Sequence, residues 1–229
     1  MKRILSKSSI NQYLQCPLKW KYIYIDNIKS EPSPAQERGI EIHEKIENFY
    51  KKLKLIKKEN IPEIEYEVDI ELDNFIELER KRIKRCVNEK GEFDLKYFKP
   101  LFQELKLQDE KLGFKGIIDA IYINSKDEGI IIMDWKTGRF DKDKLDDYRL
   151  ELAVYAELLR TSNKVDNIKY WGLYFIDQDK LFFEQIELKY IKKMYDIVNE
   201  VRQDIEQEKF EPKRNVFCKF CQFKERCFK

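Results

Sequence analysis

Asp119, Asp134 and Lys136 are charged residues embedded in aliphatic runs. Gly116-Ile117-Ile118 leads into Asp119, and Ile130-Ile131-Ile132-Met133 leads into Asp134-Trp135-Lys136. A charge in such surroundings is costly unless it is paired or binds a metal. Hard carboxylate oxygens suit Mg²⁺ or Mn²⁺, and an ammonium beside them can hold or polarise water and stabilise charge developing on a phosphate. An Asp-x-Lys pair by itself is an ordinary strand-end ion pair; its placement between aliphatic runs favours the metal site. Sulfur supplies a second constellation. Of five cysteines, Cys218, Cys221 and Cys227 follow a C-x2-C-x5-C spacing, and a remote Cys16 precedes Pro17. Four thiolates can enclose Zn²⁺ or a [4Fe–4S] cluster, and spacing alone does not choose between them. Ligation of Cys16 together with the tail would close a loop around nearly the whole chain. Cys86, near Ile83 and Val87, reads as an ordinary helix residue.

The elements that must position these groups follow from the pattern around them. Asn124-Ser125-Lys126-Asp127-Glu128 is rich in turn formers, so residues 115–123 and 129–136 are expected to form an antiparallel hairpin. A loop centred between Lys126 and Asp127 puts Asp119 opposite Asp134. The two-residue strand period puts Asp134 and Lys136 on one face. It also sets Ile117, Ile121, Ile123, Ile130 and Ile132 against Ile118, Ala120, Ile131, Met133 and Trp135, a central strand pair with helices over both faces. Further strands are expected at 101–108, 168–176 and 180–188. A helix over 146–160 carries Leu152, Tyr155, Ala156 and Leu159 on one stripe, and another spans 189–208. Upstream, residues 8–28 read as helix, turn, helix. Ser33-Pro34 opens a helix running to about Lys58, residues 64–72 alternate as a strand, and 73–88 return to helical spacing. The division expected is 1–30 and 209–229 as two parts of a cysteine-ligated region, 31–98 helical, and 99–208 the α/β core.

Composition narrows the classes. The chain of 229 residues suits one globular domain or a domain with a small annex, and hydrophobic residues at 42% suffice for a sizeable core. Lys and Arg number 45 against 43 Asp and Glu, so nucleic-acid binding must come from local patches. The longest clean apolar run, 129–133, is far short of a bilayer span. Serines and lysine at positions 6–9 interrupt any secretory apolar segment, so a cytoplasmic location is expected. Odd cysteine count and spacing argue against a secreted disulfide scaffold.

The set Gly116-Ile117-Ile118-Asp119, Asp134-Trp135-Lys136-Thr137-Gly138 and Glu151-Leu152-Ala153-Val154-Tyr155 resembles the RecB-type branch of the PD-(D/E)XK nuclease superfamily. The resemblance implies an α/β mixed sheet flanked by helices and metal-dependent hydrolysis of DNA phosphodiesters. It implies Asp119 and Asp134 as ligands of Mg²⁺ or Mn²⁺, Lys136 as the residue that orients or activates water, and Tyr155 as a substrate-positioning residue. A histidine on an upstream helix often completes such a site. Gly39-Ile40-Glu41-Ile42-His43 matches that form, and His43 is the chain's only histidine; its plain reading is a helix residue beside Glu47. The branch's helix motif normally opens with glutamine where this chain has Glu151, a carboxylate able to repel phosphate or to bind an added cation. Glu104, in the preceding strand, is either a further acidic member or an exposed strand residue.

The order of cysteines, one before the core and three after it, is similar to that of iron–sulfur members of this branch, the CRISPR-associated RecB-like exonucleases and the AddB nuclease domain. This implies a structural [4Fe–4S] cluster on Cys16, Cys218, Cys221 and Cys227, with zinc as the alternative. Lys19, Trp20, Lys21, Tyr22 and Tyr24 near Cys16, and Lys213, Arg214, Phe217, Lys219, Phe220, Phe223, Lys224 and Arg226 around the tail, would merge into one basic, aromatic patch if the ends meet. Such patches hold single strands by phosphate contact and base stacking, though the rings can equally pack around a cluster. The resemblance further implies an exonuclease acting on single-stranded DNA or DNA ends. With no ATP-binding motif, unwinding would need a helicase, recombination or CRISPR-adaptation partner. The alternative from another class is a non-catalytic DNA-binding or assembly protein that keeps the fold.

Overall fold

A computed structural model describes residues 3–29, 31–66 and 69–227. Strand β1 (Leu5–Ser6) leads into α1 (Lys7–Gln15), which Ser6 caps by accepting a hydrogen bond from the Ser9 N–H. Cys16 breaks the helix in extended backbone, and Pro17 restarts it as α2 (Pro17–Tyr24). Helix α3 (Pro34–Lys51) begins with a reciprocal Ser33–Gln36 capping box and Pro34 in its first turn. It stops at Lys51, short of the expected Lys58, because residues 54–65 form a hairpin of β2 (Lys54–Ile56) and β3 (Glu63–Glu65). The strand expected over 64–72 is confined to that short β3; Glu67 and Val68 within it lie outside the described residues. Helix α4 (Asp73–Ile83) ends before Cys86, which is buried beyond the helix rather than within it. Helix α5 (Leu95–Phe98) then leads into the main sheet.

The sheet comprises β4 (Phe102–Asp109), β5 (Phe114–Ile123), β6 (Ile130–Lys136), β7 (Ile168–Phe175) and β8 (Lys180–Gln185), joined by the short β1. It is mixed: β5 is antiparallel to β4 and β6, β6 is parallel to β7 across α6 (Leu145–Thr161), and β1 is parallel to β5. Helix α7 (Leu188–Glu206) follows β8, and α8 (Lys224–Cys227) lies in the cysteine-rich tail. One face of the sheet is covered by α1, α2, α6 and α7 around Trp20, Leu152, Trp171 and Val198; the other by α3, α4 and α5 around Ile46, Phe75 and Phe98. No described helix is long and apolar enough to cross a membrane.

The hairpin register is as expected, with Ala120 opposite Met133 and Ile123 opposite Ile130. The ladder stops at Ala120–Met133, one pair short of the aspartates, and β6 continues beside β7 alone. On the same side of β5, strand β1 pairs only at Phe114 and Lys115. The sheet therefore forks, leaving residues 116–119 without a strand neighbour between β1 and β6. Side-chain alternation also slips at the fork. Phe114, Ile118 and Ile121 all pack towards α6, whereas Ala120 and Tyr122 pack towards α3 and α4. This corrects the simple two-face assignment: Ile118 shares its face with Ile121, and Ile117 is exposed.

Candidate active site

The fork gathers side chains from six elements. From β6 come Asp134 and Lys136, both directed towards α6; from α6 come Glu151 and Tyr155. Asp119 stands at the kink in β5, where its Oδ2 accepts a hydrogen bond of 2.7 Å from the Trp135 N–H, a donor that has no partner in the β5–β6 ladder. Gly116 lets the helix close down: a Cβ there would lie 2.9 Å from Tyr155 Cε1 and 3.3 Å from Leu158 Cδ1. From the opposite face, α3 brings His43, whose Nε2 lies 3.1 Å from the Trp135 carbonyl oxygen. A carbonyl only accepts, so Nε2 carries the proton of that bond. In the neutral ring Nδ1 then presents its lone pair 3.6 Å from Asp119 Oδ1 and 3.8 Å from Glu104 Oε1.

Glu104 thus belongs to the cluster rather than to exposed strand surface. It faces the Asp119 position, between the pairs Gln103–Ala120 and Leu105–Ile118, with a left-handed backbone at φ 46°. Such backbone is uncommon for a residue other than glycine and is retained where surrounding structure enforces it, commonly at functional sites. Among the described residues, one atom each from His43, Glu104 and Asp119 form a set within 4.8 Å of one another.

Asp134 stands beside that set and is held by lysines. Its Oδ1 accepts from Lys7 Nζ at 2.6 Å, while its Oδ2 is 2.7 Å from Lys136 Nζ without hydrogen-bond geometry and remains a buried acceptor with no hydrogen bond. Both lysines also contact Glu151 Oε1, Lys7 at 2.6 Å and Lys136 at 2.8 Å. Lys7, the first residue of α1, is the site residue that sequence reasoning missed. No local pattern marks it; only the pairing of β1 with the distant β5 delivers it. Tyr155 is buried in the same place, with the Lys7 ammonium 4.7 Å from its ring centroid.

Electrostatics separates the two aspartates. Burial raises the Asp119 pKa and neighbouring Asp134 raises it further, to about 7 against the opposing pull of His43 and Lys7. Burial acts the same way on Asp134, but Lys136 and Lys7 overcome it and hold the carboxyl well below the usual range. Burial opposes the charge on His43, yet Glu104, Asp119 and Asp134 raise its pKa overall. Lys136 is likewise desolvated, and Asp134 and Glu151 keep its pKa above the ordinary value. The donor set fits a hard divalent cation. It offers carboxylate oxygens, one imidazole nitrogen and a buried oxygen lacking a hydrogen bond, and such a cation would relieve the repulsion that raises Asp119.

The sequence matches the family described as the PD-(D/E)XK nuclease superfamily over residues 4–228. The chain belongs to that superfamily. It is also similar in fold to a crystal structure from Eubacterium rectale named "Putative exonuclease", at 14% identity and a TM-score of 0.51, with 99% of this chain and 87% of that one covered. No curated protein matches significantly.

The cysteine-bearing ends also meet. Lys213 Nζ donates to the Leu14 carbonyl at 2.9 Å, Asn215 Nδ2 to the Gln15 carbonyl at 3.0 Å and Tyr13 Oη to the Lys209 carbonyl at 2.7 Å. Phe210 stacks on Trp20 at 6.0 Å between ring centroids, and Phe223 packs against Tyr22 at 5.1 Å. Burial and the proximity of Cys16, Cys218 and Cys221 raise the pKa of the Cys227 thiol, which places all four sulfurs in one neighbourhood. Among the described residues no three of these sulfurs fall within 4.8 Å of one another. Cys86 is apart from them, its thiol 3.3 Å from both the Arg82 and the Tyr97 carbonyl oxygen, and burial pushes its pKa up to about 11. Phe217 and Phe220 on the cysteine loop are exposed, whereas Phe223 is buried.

Proposed function

We propose that this nuclease is a divalent-metal-dependent deoxyribonuclease that works as an exonuclease on single-stranded DNA or DNA ends. The observation that carries the reading is the convergence of His43, Glu104 and Asp119 on one point, beside an Asp134 carboxylate gripped by Lys136. Bound Mg²⁺ or Mn²⁺ would supply Lewis acidity at a phosphoryl oxygen and a water of lowered pKa. Asp119, Glu104 and His43 Nδ1 would hold it, with Asp134 as the adjoining carboxylate. The Trp135 carbonyl fixes the imidazole tautomer, and the Trp135 N–H fixes the Asp119 carboxylate. Lys136, kept charged by Asp134 and Glu151, orients the attacking water and faces the negative charge that develops on the phosphoryl oxygens. Tyr155 stiffens the wall against which the backbone of the substrate lies.

The preference for single strands is supported by the exposed rings of Phe217 and Phe220, which flank Lys219 and offer bases a stacking surface near cations. The four cysteines would hold a [4Fe–4S] cluster as a structural staple. Zinc draws four thiolates close, since Zn–S bonds of about 2.3 Å put sulfurs roughly 3.8 Å apart in a tetrahedron. A cluster interposes irons and sulfides and holds its ligands farther apart. Anaerobic purification with metal analysis and a visible spectrum decides this point: a colourless protein with stoichiometric zinc overturns the cluster. A reducing cytoplasm suits free thiols, and unwinding of duplex DNA would fall to a helicase or recombination partner.

The test is cleavage of single-stranded DNA labelled separately at its 5′ and 3′ ends, with Mg²⁺ or Mn²⁺. Metal-dependent cleavage that Lys136→Ala abolishes is expected. A folded, cluster-loaded protein that cuts neither single- nor double-stranded DNA with either metal would overturn the reading.

A further inference from the structure

Lys7 makes contacts that the nuclease reading does not require. Its ammonium bridges Asp134 Oδ1 and Glu151 Oε1, each at 2.6 Å. Lys136 bridges the same two carboxylates from the other oxygen of Asp134, at 2.7 Å from Oδ2 and 2.8 Å from Glu151 Oε1. Two carboxylates and two ammonium groups alternate in one closed quartet with no net charge. The Lys7 and Lys136 side chains are 24% and 22% exposed against 1% for Asp134, so the two ammonium groups border solvent around a buried carboxylate. Its backbone is anchored by β1 pairing with β5 and by the Ser6 cap, and its ammonium lies 4.7 Å from the Tyr155 ring centroid.

We propose that Lys7 is the built-in counter-ion of this acidic site: it neutralises Glu151 and competes with a divalent cation for Asp134. This rests on the nuclease reading of the site and deepens it. Glu151 brings a full negative charge to the wall where a substrate phosphate must approach. Unpaired, it would repel that phosphate and draw Lys136 away from Asp134; with Lys7 present its charge is cancelled and Lys136 is shared. The same ammonium occupies the Oδ1 of Asp134, so a cation that recruits that oxygen must displace Lys7 from it, leaving Lys7 on Glu151. Lys7 and Glu151 are therefore a coupled pair of positioning residues, each justified by the other.

The experiment measures Mn²⁺ binding to the full chain by titration calorimetry, at fixed pH and salt, alongside KM for single-stranded DNA. Lys7→Met keeps a long unbranched side chain and removes the competing charge, so Mn²⁺ should bind about tenfold tighter while KM rises. Glu151→Gln leaves Lys7 to Asp134 alone and should weaken Mn²⁺ binding by about tenfold. The double variant Lys7→Met/Glu151→Gln restores the charge balance and should return both quantities to within about threefold of the parent. Lys7→Arg, which keeps the charge, should stay equally close to the parent.

A purely structural Lys7 would give weaker or unchanged Mn²⁺ binding in Lys7→Met and no rescue by Glu151→Gln, which overturns the proposal alone. If Lys7→Met does not fold, the sign of the Glu151→Gln effect decides: tighter or unchanged Mn²⁺ binding overturns the proposal. A parent protein that binds no Mn²⁺ overturns the proposal and the nuclease reading together, which separates the two failures.

Discussion

Asp119 is a carboxyl buried beside a second carboxylate, and its raised pKa has consequences for stability. In the metal-free protein the folded state binds a proton that the unfolded state releases near pH 4, so this contribution to stability is full at low pH and is lost as pH rises through about 7. Asp119→Asn removes that penalty while keeping an acceptor for the Trp135 N–H. It should raise the Tm of the metal-free protein at pH 8 by roughly 2–4 °C and abolish the stabilisation that Mn²⁺ gives the parent. A thermal melt series from pH 5 to 8, with and without Mn²⁺, checks both effects. In the parent, the Mn²⁺-induced rise in Tm should grow with pH across that series, because the cation competes with the Asp119 proton. A second residue-scale expectation concerns Phe220, whose ring is 88% exposed. Phe220→Ala should leave stability within about 0.5 kcal/mol and weaken single-stranded DNA binding by about 1–3 kcal/mol if a base stacks there. Fluorescence anisotropy with a labelled oligonucleotide gives the answer.

At the scale of elements, the contact of β5 with α6 sets how the α6 wall of the acidic fork is built. Gly116→Ala would place a methyl against Tyr155 and Leu158, both buried. It should cost about 1–3 kcal/mol in urea unfolding and lower cleavage by shifting Tyr155 and Glu151 together. Strands β4 to β8, the α6 and α7 helices and the hairpin register were legible because each rests on local periodicity and turn chemistry. Asp134 and Lys136 were legible for the same reason, being two residues apart on one strand. What escaped depends on departures from regularity or on distant pairing. The slip in alternation at Asp119 arises where β5 loses its neighbour, which no two-residue pattern encodes. The left-handed turn of the backbone at Glu104 hides that residue's place in the cluster. Lys7 arrives through two residues of β1, too short a strand to leave any periodic trace. Helix α3 was extended too far because Lys-rich sequence after Lys51 has good helix propensity, and the β2–β3 pairing overrides it.

On the scale of the whole molecule, both ends of the chain are pinned to one another, while the acidic fork is assembled from β4, β5, β6, α3, α6 and the start of α1. Damage to the two places should therefore have different signatures. Cys221→Ser should bleach any cluster absorbance and destabilise the protein; closure of a long loop is worth about 2–4 kcal/mol where a covalent link provides it. A visible spectrum and a melt on the same sample, with unchanged Tm as the contrary result, decide this.

The pinning also bears on biosynthesis. Helix α1, which delivers Lys7 to the fork, is seated by hydrogen bonds from residues 209–215, and Asn215 reaches Gln15 across 200 residues of chain. A ribosome adding about 5–20 residues per second needs on the order of 10–40 s to cover that distance. Until then the nascent protein has its aspartates and Lys136 but lacks the clasp that fixes its first helix. A chain lacking residues 209–215 would carry the acidic fork without the hydrogen bonds that seat α1, so the element bearing Lys7 is fully held only once those residues are made.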